Sequence, residues 1–139
     1  MAEVLLLPSL YLGFIVGLYE AILLHRDVSI PTHRFGHMIH ALLFAMIAVF
    51  ASMNVGYVYD VFSGLKDLMY VNNPLIFRVL IGLIAMVKMH AVSAALSRGA
   101  SVIGTREKWT HTFIVAALII GAPYVWPLLE PFVSRYLPT

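Results

Sequence analysis

Ile84-Ala85-Met86-Val87-Lys88-Met89-His90-Ala91-Val92 sets an ammonium and an imidazole inside an apolar run that extends from Pro74 to about Ser97. Such a run is long enough to cross a bilayer, which takes roughly 20 residues. An ionisable side chain within a span costs about 2.5 kcal/mol or much more and usually faces protein or trapped water. Two readings follow together. The chain belongs in a membrane, and its functional residues are to be sought among the polar groups that its spans carry.

Composition agrees. Of 139 residues 61% are apolar and 12% charged, and the mean hydropathy of +0.90 is too high for a soluble domain of this size. Spans at about 4–24, 33–55, 74–97 and 106–129 use nearly the whole length. The expected fold is an all-α membrane protein: a bundle of four transmembrane helices in one integral membrane domain over residues 1–139, with a short interfacial amphipathic helix between the second and third spans. The formal charge of +2 forms no basic stripe, which argues against nucleic acid as a partner. With no cysteine, disulfides, thiolate metal sites and cysteine nucleophiles are removed at once. Met1-Ala2-Glu3 lacks a basic region, and no small-residue cleavage site follows, so the first apolar run is expected to be a retained span.

Along that first span Ser9, Gly13, Gly17 and Ala21 recur every four residues, and Gly13 and Gly17 form a GxxxG. Small residues at this spacing let two helices approach closely, within the chain or, as the second possibility, between subunits. In the second span, with Thr32 as cap, His33, His37 and His40 share a helical face with Phe44, Ile47 and Ala51, while Ala41, Ala45, Ala48 and Ser52 form the opposite one. In the connection from Gly56 to Asn73, Val61, Phe62, Leu65, Leu68 and Met69 fall on one side of a helix capped by Asp60. Asn73 caps the third span, Pro74 takes its first helical position, and Gly99 is its stop. Thr105 caps the fourth, which Pro123 should kink or end.

Arg26 and Arg34 lie in the first connection and Arg98, Arg106 and Lys108 in or beside the third, whereas Lys66 is offset by Asp60 and Asp67 in the second. Basic residues gather on the cytoplasmic side, so both termini are expected outside, in the plasma membrane. Tyr57, Tyr59, Tyr70, Tyr124, Trp126 and Tyr136 would form the outer aromatic belt and Trp109 the inner one, with Arg78 reaching the outer headgroups. Counted from the inner ends at about 1.5 Å per residue, Glu20 and His37 lie roughly 6 Å deep, His111 roughly 7 Å, His40 roughly 10 Å, His90 roughly 12 Å and Lys88 roughly 15 Å. Ionisable groups from separate helices thus share one layer.

Three chemistries can use that layer. His40 and His90, at matching depth on different helices, could ligate a b-type haem. Glu20, His37, His40 and His111 could hold a transition metal such as zinc, iron or copper. The same groups, with Lys88, could relay protons or ions in a small transporter or channel. Lys88 and His90 stand about 200° apart on a helix and cannot share a groove. A lysine so deep cannot comfortably snorkel, so a second protein is expected to cover one of the two sides.

The favoured reading is a small integral membrane subunit of a larger complex, of the kind that supports a respiratory assembly or a membrane-bound oxygenase. Its work would be mainly structural, with the bilayer and other subunits, in a hetero- or homo-oligomer, as partners, and with Lys88, Gly13 and Gly17 as partner contacts. A stand-alone enzyme is not indicated, since no catalytic triad, phosphate loop or paired carboxylates appear. A reporter fused to the carboxyl terminus is expected outside the cytoplasm; cytoplasmic activity of that reporter would reverse the orientation.

Overall fold

The computed structural model describes residues 3–27, 34–99 and 108–136, and within these not the side chains at 27, 34–37 and 92–99. The described chain is all helical: α1 Leu6–Asp27, α2 Arg34–Met53, α3 Val55–Val61, a single 3-10 turn Ser63–Leu65, α4 Pro74–Gly99 and α5 Trp109–Val133. Three helices are long and apolar enough to cross a membrane, through Leu6–Arg26, Pro74–Ala91 and Trp109–Val133. A fourth is reached when Met38–Met53 and Val55–Val61, bent by 93° to each other, are counted as one broken span.

The small-residue stripe of α1 builds the closest seam. Gly13 and Gly17 face α2: a Cβ at Gly13 would lie 3.0 Å from the Met46 Cα, and one at Gly17 would lie 2.8 Å from the Leu42 carbonyl oxygen. Ser9 and Ala21, on the same stripe, are buried as well. In a bilayer, helix association rests on such van der Waals contact rather than on hydrophobic exclusion. The stripe is therefore a contact within the chain. On α2 the inward face is the one with Ala45, Ala48 and Ser52, while Ile47 and His40 on the histidine face are exposed.

A second close approach joins α4 to α5 at Gly82, where a Cβ would come within 2.6 Å of the Ile120 side chain. α2 packs against α1, α4 and α5, and α5 also against α1. Cross-contacts fix the directions. Leu5 meets Asn54, Lys88 meets Phe44, Arg78 meets Tyr124 and Arg26 meets His111, so successive long helices alternate. α1 and α4 begin at the end where α2 and α5 finish, called here the termini end.

Several boundaries differ from the sequence expectation. α2 stops at Met53 because Asn54 leaves helical geometry at φ −113°, ψ 44°, and its side-chain amide donates to the Phe50 carbonyl at 2.9 Å. The Phe50 carbonyl also keeps the Asn54 backbone N–H at 2.9 Å, so the side chain adds a second donor to the last ladder bond and the helix breaks beyond it. The helix expected from Asp60 to Met69 instead ends at Val61, with Asp60 inside it, and turns occupy most of the stretch up to Asn73. Pro123 neither ends nor replaces α5, which continues through Pro127 and Pro131 to Val133. In apolar surroundings a continued helix is the way to satisfy the remaining backbone groups, and proline is tolerated there. Asn73 does cap α4, its Oδ1 accepting from Leu75 N at 2.9 Å and Ile76 N at 3.4 Å. The Thr32 and Thr105 caps and His33 lie outside the described residues.

Gly17→Val is expected to lower stability by about 1–3 kcal/mol through overpacking against the α2 backbone. Gly121→Ala, where nothing lies within 4 Å of the added carbon, should be neutral or stabilise by up to about 1 kcal/mol. Thermal melts in detergent compare the two; equal effects would mean that the α1 seam is not where the structure puts it.

Candidate functional site

The polar side chains fall into two groups. At the termini end, the bend after Met53 leaves carbonyls of the last α2 turn without helical donors. Arg78 answers one of them, its Nε donating to the Ser52 carbonyl at 3.0 Å, while Nη1 donates to the Tyr124 hydroxyl at 3.2 Å. Its guanidinium also lies 5.4 Å from the centroid of the Tyr124 ring. A cation at a helix C-terminus meets the negative end of the macrodipole. Arg78 is half-buried and turned into the chain, not out to the headgroups as its sequence position suggests.

Asn54 completes this group. Its Oδ1 accepts from the Leu5 backbone N–H at 2.7 Å, tying the start of α1 to the end of α2. The Tyr59 hydroxyl donates to the Val71 carbonyl, and its ring packs on Phe77 with centroids 5.1 Å apart. Tyr59 and Trp126 are buried, so they belong to the core rather than to an outer aromatic belt; Tyr57, Tyr70, Tyr124 and Tyr136 are exposed. Neither Asn54 nor Tyr59 stands out in the sequence as a clasp, because each is defined by a bend that hydrophobic periodicity does not encode.

Toward the opposite end lie the residues from which chemistry was expected. Glu20 is 1% exposed and is the only charged residue fully buried among the described ones. His111 receives a bond from Arg26, Nη2 to Nε2 at 3.3 Å. A guanidinium can only donate, so the lone pair of that nitrogen is engaged in this arrangement. His40 is exposed on α2, and the His37 side chain lies outside the described part. Among the described residues no group of three or more His, Cys, Asp or Glu is placed to hold a metal ion.

The stretch around Lys88 shows how α4 carries two polar groups at once. On one flank the His90 ring stacks on Trp109 of α5, with centroids 3.7 Å apart and planes inclined by 24°. On the other, the Lys88 ammonium sits 3.5 Å from the centroid of the Phe44 ring of α2. The 200° separation is thus met by aromatic rings from the two neighbouring helices. His40 and His90 are not in contact, since His90 is turned toward α5.

Magnitudes separate the two flanks. His90 is half-buried, and its Nδ1 is buried without a hydrogen bond among the described residues. That omission costs about 1–3 kcal/mol and is partly offset by the stack. For Lys88 a desolvated cation–π contact supplies about 2 kcal/mol, against about 2.5–3.5 kcal/mol or more for a lysine at mid-span. The ring covers one side of the ammonium only. Among the described residues Lys88 Nζ donates no hydrogen bond, although an ammonium carries three donors.

Beside it a shallow groove of about 430 Å³ runs along α4, lined by Leu83, Ile84, Val87 and Lys88 and opening outward. Comparison with known protein families, curated proteins and solved structures finds no match for the chain.

Arg78→Met is expected to cost about 1–3 kcal/mol, because the Ser52 carbonyl stays buried without that donor. Tyr124→Phe removes a single neutral acceptor and should cost no more than about 1 kcal/mol. Equal melting shifts for the two variants would show that the Ser52 bond does not hold the α2 terminus.

Proposed function

We propose that this chain is a four-span integral membrane subunit of a larger complex, with a mainly structural, accessory role. α1, α2, α4 and α5 are the spans, both termini lie outside, and the segment from α3 to Asn73 rests at the membrane surface. Exposed Phe62, Leu68, Met69 and Tyr70 in that segment suit the headgroup boundary. Tyr70 also holds a left-handed backbone at φ 74°, a conformation that an exposed turn tolerates more readily than a packed one.

The observation that carries the reading is the exposure of α4. Only 17% of Pro74–Ala91 is buried within the chain, against 50% of Leu6–Arg26. Lipid alone would suit the apolar part of that surface, but this is also the helix with a half-buried lysine beside an outward groove. Lysines within spans ordinarily face protein or water. A subunit docked by α4 meets that requirement.

Mild extraction of the full chain from its native membrane, followed by size-exclusion chromatography and mass spectrometry, tests this. The chain is expected to elute with at least one other membrane protein, well above the size of a detergent monomer. A monomer of full thermal stability, free of any co-purifying protein, would overturn the proposal.

A further inference from the structure

We infer that the α4 groove lined by Leu83, Ile84, Val87 and Lys88 seats a transmembrane helix of another subunit, and that this helix carries an aspartate or glutamate facing Lys88. The inference rests on the reading of the chain as a subunit and adds to it a docking site and the chemistry of the partner.

Charge and depth select the occupant. Lys88 stands 14 residues after the start of α4 and 11 before its end, so its Cα lies about 16–21 Å from either terminus of the helix. Lipid phosphates and ester oxygens lie at the membrane surface, while the acyl chains at this depth offer no acceptor. A neighbouring helix has its backbone carbonyls already engaged in its own ladder. The acceptor must then be a side chain, and a carboxylate supplies both the lone pairs and the opposite charge. Ionisable groups inside membranes characteristically pair with one another.

A second copy of this chain does not meet the requirement. Its acidic residues are Glu3, Glu20, Asp27, Asp60, Asp67, Glu107 and Glu130. Glu20 is buried within the chain, and the other acids that the structure describes stand in connections or at or near helix ends. Among the described residues no acid is left at mid-span on an outward face.

Steric character fits a helix as well. The groove is broad, shallow and apolar throughout, Lys88 lining it with its methylenes. Leu83, Ile84 and Val87 are exposed, forming the ridges between which side chains of a second helix would pack. The Phe44 ring holds the ammonium beside this surface and covers one side of it, so its remaining donors can be met only by an acid on the flank of a seated helix.

A photoreactive amino acid placed at Val87 in the full chain, irradiated in the native membrane, tests the inference. The expected product is an adduct with one other membrane protein, cross-linked within a span that contains Asp or Glu. Lys88→Met should lower its yield by about tenfold or more, whereas Lys88→Arg should retain most of it. Lys88→Glu should abolish the adduct, and exchanging the partner's acid for lysine should restore it. Ile84→Trp, which fills the groove without touching the charge or the core, should lower the yield independently and serves if a Lys88 variant fails to accumulate.

Adducts with lipid only, an adduct with a second copy, a cross-linked span without an acid, or yields unchanged by Lys88→Met would each overturn the inference. The outcomes stay separable from those of the subunit reading. Co-purification of another membrane protein together with lipid-only adducts at Val87 leaves the subunit reading standing and removes this site; absence of any partner removes both.

Discussion

The packing of α4 is governed by two polar side chains that leave the helix on opposite flanks, each of which must find a ring before the helix can be accommodated. Lys88 lies on Phe44 of α2 and His90 on Trp109 of α5. With both contacts made, the inward face of α4 is left to Gly82, Ala85 and Met89, and α4 takes its place between α2 and α5. The rotational setting of α4 then determines the rest of its surface. Leu83, Ile84 and Val87 are turned outward, and Arg78 near the start of the helix is brought onto the broken end of α2.

At the termini end another constraint acts through hydrogen bonds instead of rings. The bend after Met53 frees backbone groups that a continuous helix would have kept, and their partners come from distant parts of the sequence. The freed Ser52 carbonyl is answered by Arg78, while the Asn54 side-chain oxygen beside it receives the Leu5 N–H. Buried backbone groups are almost always paired, so a break of this kind recruits whatever donors the neighbouring helices offer. Thus α1, α2 and α4 are tied together at one level, and Arg78 extends the tie to α5 through Tyr124.

Much of the fold was legible because it depends on local rules. Long apolar runs gave the helices and Asn73-Pro74 gave the start of α4, while the four-residue stripe of Ser9, Gly13, Gly17 and Ala21 marked a close helix contact without saying whether α2 or a partner fills it. What was not legible depends on a tertiary partner. Asn54 looks like one more polar residue at a span end until its amide is seen bonded to Phe50 on one side and to Leu5 on the other. Pro123 looks like a terminator because the penalty of proline is judged against water, where a released carbonyl has an alternative. The layer of histidines was visible, but depth along a helix says nothing about azimuth. His40 faces outward and His90 faces α5, so equal depth did not bring them together. The separation of Lys88 from His90 was read correctly from the helical period, whereas the rings that receive them, Phe44 and Trp109, could not be assigned without the packing.

The broken end of α2 also bears on how the chain meets its bilayer. In the four-span arrangement proposed here, α2 has 20 residues and so measures about 30 Å, close to the thickness of the hydrocarbon layer. The other three long helices have 22, 26 and 25 residues and can absorb a thicker or thinner membrane by tilting. α2 is constrained instead at its last turn. Its last turn is fastened to α1 through Asn54 and to α4 through Arg78, and the backbone then swings away by 93°. A membrane of different thickness, which would make the helices tilt, would therefore load this fastened turn and the Asn54 bend beside it.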